Sequence, residues 1–254
     1  MLEIKKEEIK KLPEFKHNVY WGPEGTLYKL LRLVPTAKRE NFYTYVNSLQ
    51  NIPGLILPID LLKDQTIYGY QLPYIEGSQN IDEILKNPYK HMDIIATIKS
   101  MFEAIESIIQ YLILCDVRGS NILIKDDKAY FIDWDSGKKL SSSELLPICY
   151  CVAVNKRIIP DSQICDILKT LLSALSIYYG IDMEEYFANK DLTILLEILK
   201  SIKANPNLIY FLDYILEKAK ADDTTVDLKF SEIIDFVDLP SPKEKERLVR
   251  KLPH

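Results

Sequence analysis

Residues 111–137, with the sequence YLILCDVRGSNILIKDDKAYFIDWDSG, contain two short apolar runs with polar residues at their outer ends. The apolar runs, 122–124 and 129–132, are separated by Lys-Asp-Asp-Lys, and this pattern predicts a β-hairpin. Asn121 precedes the first strand, and Asp133 follows the second strand, twelve positions later. We therefore expect the hairpin to bring these two side chains to the same end of the sheet.

The polar residues of this stretch suit phosphate chemistry. Two oxygen ligands at one point, Asn121 and Asp133, match Mg²⁺, which takes few protein ligands and leaves other positions to water and phosphate. A third polar residue, Asp116, precedes Asn121 by five positions and could orient or deprotonate a hydroxyl group. The simpler alternative is an ordinary hairpin in which Asp and Asn serve the turns. The combined spacing favours the phosphate-transfer site.

The stretch resembles the catalytic core of the protein-kinase-like superfamily. Residues 115–121, Cys-Asp-Val-Arg-Gly-Ser-Asn, stand where that family has His-Arg-Asp-x-x-x-x-Asn, and residues 132–135, Ile-Asp-Trp-Asp, stand where it has Asp-Phe-Gly. The resemblance implies that Asp116 aligns an acceptor hydroxyl and that Asn121 and Asp133 hold Mg²⁺. ATP and Mg²⁺ are thus the expected cofactors.

The same resemblance implies a fold class and a division of the chain. We expect a bilobal α/β fold with a small antiparallel-sheet N-lobe at residues 1–76. A mostly helical C-lobe would follow at residues 77–254 and carry the catalytic loop. Arg118 takes the place of a lysine usual in the Ser/Thr kinase loop and is expected to contact the γ-phosphate.

Two residues of the N-lobe are candidates for binding the nucleotide phosphates. Lys29 lies in an apolar strand predicted at 26–31 that resembles the Val-Ala-Ile-Lys strand of kinases, where the lysine binds the α- and β-phosphates. Glu40, in a helix predicted at 36–50, is its expected acidic partner. A solvent-facing lysine on an edge strand is the alternative. The spacing from Glu40 to Pro53 is about three residues longer than the family suggests, which leaves the pairing open.

A second N-lobe segment resembles the kinase hinge. Residues 73–77, Pro-Tyr-Ile-Glu-Gly, follow two predicted strands at 55–62 and 66–72. The resemblance implies that backbone groups of Pro73 and Ile75 meet the adenine edge, with Leu72 at the gatekeeper position. A simple linker between a strand and a helix is the alternative.

The expected glycine-rich lid over the phosphates is missing. Such a lid works because bare backbone N–H groups can approach phosphate closely. Gly22 and Gly25 lie after the Val-Tyr strand, and residues 9–17, where the lid is expected, contain no glycine. We therefore expect weak or unusual nucleotide binding.

The C-terminal part of the sequence is predominantly helical. An apolar stripe at 94–112 predicts an amphipathic helix that leads into Asp116, and residues 161–179 predict a buried central helix. The connection at 134–160 shows no clear helix and matches an activation segment. Further helices are predicted near 182–188, 190–203, 206–220 and 228–236, with a surface helix in the tail 240–254.

Composition limits the possible partners and location. The 254 residues carry a net charge of −5 and are 47% apolar, so they can form a proper core and show no electrostatic footprint for nucleic acid. No apolar run approaches 18 residues, and no signal pattern is present near residue 1. We therefore expect a cytoplasmic protein that does not bind membranes. The four cysteines lack metal-site spacing and are expected to be buried thiols.

Three functions fit these features. The first is a compact ATP-dependent Ser/Thr protein kinase, whose partners are ATP and a protein substrate. The second is a small-molecule kinase of the aminoglycoside/choline type, acting on an alcohol; Ile-Asp-Trp-Asp is common in that branch, but its loop normally has His where this chain has Arg118. The third is a pseudokinase that binds a partner, favoured by the missing glycine lid and by Leu114-Cys115 in place of His-Arg.

Overall fold

The structure is a computed structural model of the whole chain and describes residues 4–87, 92–142, 152–188, 190–221 and 239–252. It divides into two compact units, Met1–Ser78 and Gln79–His254. The helix predicted at 228–236, and two of the cysteines, Cys149 and Cys151, lie outside the described residues. Among the described residues, none of the helices combines the length and the apolar character that a membrane span requires.

The first unit is built on a five-stranded antiparallel sheet with the order β1-β2-β3-β5-β4. Its strands are β1 (Glu14–Lys16), β2 (Val19–Trp21), β3 (Thr26–Leu30), β4 (Asp60–Lys63) and β5 (Ile67–Pro73). Two helices accompany them, α1 (Lys6–Ile9) and α2 (Ala37–Ser48). The small antiparallel sheet confirms the predicted α/β class and is compatible with a bilobal kinase-like fold.

Helix α2 begins where the sequence predicts, because the side chain of Thr36 caps it by accepting a hydrogen bond from the Arg39 N–H. The strand predicted at 55–62 is shorter than expected and begins only at Asp60. Pro53 and Pro58 lie before it, and proline has no N–H to donate to a strand ladder. Residues 55–57 therefore lie outside the five-stranded sheet, and Leu55 among them is buried.

The two faces of the sheet have different surroundings. Tyr28 and Leu30 project from one face and pack with Ile9 of α1 and with Leu62, forming a buried cluster. Residues that alternate with them along β3, including Lys29, project from the opposite face. Helix α1 thus covers the face from which Tyr28 and Leu30 project, and Lys29 lies on the opposite face.

The second unit is mainly helical. Its helices are α3 (Ile81–Lys86), α4 (Ile94–Ile108), α5 (Gln163–Tyr179), α6 (Met183–Phe187), α7 (Leu192–Ile202), α8 (Pro206–Lys220) and α9 (Pro242–Val249). Helix α5 is central, since every residue from Ile164 to Tyr179 is buried. The Ser162 side chain caps its N-terminus, and Gly180 ends it in the left-handed conformation, with φ 68°.

Short strands complete the second unit. They are β6 (Gln79–Asn80), β7 (Leu112–Ile113), β8 (Ile122–Lys125), β9 (Lys128–Phe131), β10 (Lys138–Lys139), β11 (Ala153–Val154) and β12 (Arg157–Ile158). Strands β6, β8 and β9 form one sheet, and β7 pairs with β10. The predicted helix at 94–112 therefore ends earlier, at Ile108, because Leu112 and Ile113 are buried as a strand.

Candidate active site

The hairpin β8–β9 brings Asn121 and Asp133 to the same end of its ladder. Its last strand pair is Ile122 with Phe131, and beyond it the N–H of Ile132 donates to the backbone carbonyl of Asn121 at 2.9 Å. Asp133 follows directly, in the left-handed conformation with φ 67° and ψ 40°. That conformation is uncommon outside glycine, although Asp tolerates it, and it turns the chain out of the strand.

The carboxylate of Asp116 is held by two neighbours in its own loop. Its Oδ1 accepts hydrogen bonds from Nε of Arg118, at 2.8 Å, and from Nη2 of the same guanidinium. Its Oδ2 accepts from Nδ2 of Asn121 at 3.2 Å. The Asp116 side chain is 10% exposed, whereas that of Arg118 is 39% exposed. Three of the predicted site residues therefore form one hydrogen-bonded group.

Asn121 is oriented so that its carbonyl oxygen is available. Its Nδ2 donates to the backbone carbonyl of Asp116 at 2.9 Å as well as to the Asp116 carboxylate. Within the described residues, Oδ1 of Asn121 accepts no hydrogen bond. Asp133 lies at the same end of the hairpin, and an amide oxygen and a carboxylate are hard oxygen ligands of the kind that Mg²⁺ prefers. Among the described residues, no group of three or more His, Cys, Asp or Glu side chains could hold a metal ion.

Two charged residues inside α5 fix the backbone that precedes Asp116. The Asp166 carboxylate accepts from the N–H groups of Leu114, at 2.6 Å, and Cys115, at 3.1 Å. The Lys169 ammonium donates to the carbonyl of Cys115 and lies 3.8 Å from Asp161. Cys115 has a left-handed φ of 66°, an unfavourable conformation for its side chain that these contacts stabilise.

Both charged residues are completely buried, which changes their chemistry. Burial raises the pKa of Asp166 to about 7, although Lys169 and the two backbone N–H donors act in the opposite direction. The apolar pattern of 161–179 predicts only a buried helix and assigns no role to Asp166 or Lys169. An Asp and a Lys three positions apart, inside an otherwise apolar helix, were the available signal.

The first unit places Lys29 and Leu72 on one face of its sheet. Leu27 pairs with Leu72 and with Trp21, and Lys29, two positions from Leu27, pairs with Tyr70. Paired residues on neighbouring strands share a face, so these side chains project from the face opposite to α1. The Lys29 ammonium lies 5.8 Å from the centre of the Tyr70 ring.

The Glu40 carboxylate has a backbone contact in this unit. Its Oε1 accepts from the N–H of Ile67 at 2.8 Å, which ties α2 to the start of β5. The predicted pairing of Glu40 with Lys29 stays a prediction.

The predicted hinge begins at the end of β5. The N–H of Tyr74 donates to the carbonyl of Gly25 at 2.8 Å, which extends the pairing between β3 and β5. The carbonyl of Ile75 accepts from both N–H and Oγ of Ser78, at 3.2 and 2.8 Å. An adenine edge at this position would therefore use the Pro73 carbonyl and the Ile75 N–H, because the Ile75 carbonyl is already engaged.

Gly22 and Gly25 lie in the connection between β2 and β3. A Cβ on Gly22 would lie 2.5 Å from Oγ1 of Thr26, so a larger residue there would require Thr26 to move, and Gly25 adopts a left-handed φ of 71°. Aromatic rings occupy the adjacent strand ends: the ring centre of Trp21 lies 5.1 Å from that of Phe15 and 4.8 Å from that of Tyr74. Gly22 and Gly25 thus follow the Val-Tyr strand, as the sequence predicts.

Comparison with known proteins gives one informative match. No family model matches the chain. A protein of Bacillus subtilis (strain 168), named as the probable serine/threonine-protein kinase YbdM, is 31% identical over 199 residues. The match covers 70% of this chain and 73% of that protein.

Proposed function

Because this chain belongs to the protein-kinase-like family, we propose that it is an ATP-dependent phosphotransferase directed at serine or threonine hydroxyls of proteins. The observation that carries this proposal is the hydrogen-bonded group of Asp116, Arg118 and Asn121, with Asp133 at the adjacent end of the hairpin. The name of the Bacillus subtilis relative supports the choice of a protein acceptor.

Each residue of this group has a distinct proposed role. When bound, Mg-ATP supplies the phosphoryl group and the cationic charge that neutralises its oxygens. Asn121 and Asp133 would hold the cation through their oxygen atoms. Asp116 would orient the acceptor hydroxyl and accept its proton, while the phosphoryl group passes to the hydroxyl oxygen and ADP leaves. Positioning and charge stabilisation account for most of the acceleration in such reactions.

Arg118 binds the Asp116 carboxylate and is the residue that we expect to contact the γ-phosphate. Its guanidinium binds Asp116 through two nitrogens, yet much of its side chain is exposed. The guanidinium carries several N–H donors, so Arg118 could donate to the γ-phosphate while it stays bound to Asp116. In the first unit, Lys29 would bind the α- and β-phosphates, and backbone groups of Pro73 and Ile75 would bind the adenine edge, with Leu72 at the gatekeeper position.

Mg-ATP should stabilise the protein against heat, and ATP with a chelator should not. The shift should grow with ligand concentration, reaching about 2.7 kcal/mol at a hundredfold excess over Kd. Asp133→Asn should remove the metal-dependent part, because the amide lacks the charge that attracts Mg²⁺. Differential scanning fluorimetry measures both effects.

A matched control separates metal binding from general effects on the hairpin. Asp126 is also an aspartate with a left-handed φ, of 49°, but it is exposed in the β8–β9 turn. Asp126→Asn should therefore leave the Mg-ATP shift unchanged. If wild type shows no shift at millimolar Mg-ATP, the proposed nucleotide site is wrong.

A further inference from the structure

Glu184, the second residue of α6, contacts the catalytic loop from outside the hydrogen-bonded group already described. The N–H of Gly119 points at its carboxylate and donates to both oxygens, at 2.8 and 3.0 Å. Oγ of Ser173, on α5, donates to Oε1 of the same carboxylate. Glu184 thus connects the loop with two helices of the second unit.

Gly119 also lies close to the start of α3. A Cβ added to Gly119 would lie 2.7 Å from Oδ1 of Asp82 and 3.2 Å from Cβ of Ile81. Any other residue at position 119 would therefore require the side chains of Asp82 and Ile81 to move. The peptide at position 119 is buried between the start of α3 and the carboxylate of Glu184.

The position of this peptide determines where the proposed catalytic group lies. Gly119 begins a short 3-10 turn that ends at Asn121, and the N–H of Asn121 donates to the carbonyl of Arg118 at 2.8 Å. The side chains of Arg118 and Asn121 are the two that hold the Asp116 carboxylate. A shift of Gly119 would consequently move both partners of Asp116 together.

We propose that Glu184 is a positioning residue for phosphoryl transfer, holding the Gly119 peptide so that Arg118 and Asn121 orient Asp116. The inference rests on the proposed function, since it concerns the same reaction. Glu184 itself touches neither the substrate nor the reacting atoms in this proposal. Its effect reaches Asp116 only through the backbone of the loop.

The electrostatic surroundings make this contact sensitive to pH. Burial raises the pKa of Glu184 to about 7, and the nearby carboxyl groups of Asp182, at the start of α6, and Asp82, on α3, act in the same direction. The hydrogen bonds from Ser173 and Gly119 oppose this effect. The ionised carboxylate accepts both donors, whereas the protonated form has a hydrogen of its own to place. Turnover should therefore rise with pH as Glu184 ionises.

The first experiment compares Glu184→Gln with Glu185→Gln in the full-length protein. ADP release is measured with Mg-ATP and casein as a generic phosphate acceptor. Gln keeps one acceptor oxygen for Gly119, so Glu184→Gln should fold. Its kcat should be about tenfold lower, which is the factor expected for one lost hydrogen bond. The KM for ATP should change little. Glu185 is exposed on the same helix, and Glu185→Gln should behave as wild type.

The second experiment records kcat against pH and uses Ser173→Ala. Wild type should show an acid limb near pH 7 that Glu184→Gln lacks. Ser173→Ala removes a hydrogen bond that favours the ionised carboxylate, so its limb should move to higher pH. This variant retains Glu184 and Gly119, and it therefore tests the proposal even if Glu184→Gln fails to fold.

The outcomes separate the two proposals. A wild-type protein that releases no ADP and phosphorylates no acceptor would overturn the proposed function. A wild-type protein that turns over, with equal kcat in Glu184→Gln and Glu185→Gln, would overturn the positioning role alone. An acid limb that stays in place in Ser173→Ala would overturn it as well.

Discussion

Replacing Asp116 by asparagine should reduce turnover by at least about 100-fold, the loss typical of removing a general base. Asparagine keeps the size of the side chain and an oxygen that can accept from Arg118. It loses the contact with Nδ2 of Asn121 at 3.2 Å, but that amide retains its shorter bond to the backbone carbonyl of residue 116. Folding and Mg-ATP binding should therefore change little.

The acceptor used in this experiment decides between the functional alternatives. Wild type and Asp116→Asn should be incubated with radiolabelled ATP, once with generic proteins and once with a panel of aminoglycosides and choline. A protein kinase loses protein labelling in the variant, and a small-molecule kinase loses turnover on the panel and never labels protein. A pseudokinase has no turnover to lose. Equal labelling by the two proteins would contradict the catalytic role of Asp116.

Replacing Asp166 by asparagine should lower the free energy of unfolding by about 3 kcal/mol. A loss of this size is expected when one of two interacting buried charges is removed, here Asp166 beside Lys169. The two carboxylate oxygens each accept one backbone N–H, from Leu114 and Cys115, and the amide has only one oxygen to offer. Its NH₂ group would then face a backbone donor inside the protein. Urea unfolding measures the loss.

A surface ion pair supplies the matched control for this variant. Asp213 lies 3.3 Å from Lys200, and both side chains are nearly half exposed. Asp213→Asn should therefore cost between 0 and about 1 kcal/mol. If Asp166→Asn were no more costly than Asp213→Asn, the buried carboxylate would not stabilise the loop.

The pH dependence of stability gives a second readout for Asp166. Its pKa is higher in the folded protein than in the unfolded chain, so the folded state binds the proton more tightly. The stabilising contribution of this carboxyl is therefore complete below about pH 4, near the pKa of the unfolded chain, and is lost as the pH rises through about 7. The stability curve of Asp166→Asn should lack that decline, so the difference between the wild-type and variant curves should fall as the pH rises through about 7.

Individual helices and strands of this protein can be predicted from local sequence patterns. The contacts that hold the backbone around Asp116 cannot. The β8–β9 hairpin could be predicted because apolar runs flank a polar turn, and α2 because Thr36 is a strong cap. The hydrogen bonds of Asp166, in contrast, join residues 52 and 51 positions apart, and those of Glu184 to Gly119 span 65 positions. Local patterns carry no information about such pairs.

Two errors in the predicted elements have the same origin. The apolar stripe that continues to Leu112 predicts a longer α4, but its last members are buried as strand β7 paired with β10. The predicted strand at 55–62 likewise contains an apolar residue, Leu55, that is buried ahead of the strand. Burial alone therefore does not distinguish helix, strand and irregular backbone over short runs.

The unusual backbone at Cys115 has a consequence for the thermodynamics of ligand binding. Ordering one residue costs about 1–2 kcal/mol in conformational entropy, and a loop that becomes ordered only on contact with its ligand would meet that cost at each binding event. Here Asp166 and Lys169 fix the residues on the N-terminal side of Asp116 within the folded protein itself. Association of an acceptor should consequently show only a small entropic penalty from this segment, and a correspondingly small change in heat capacity.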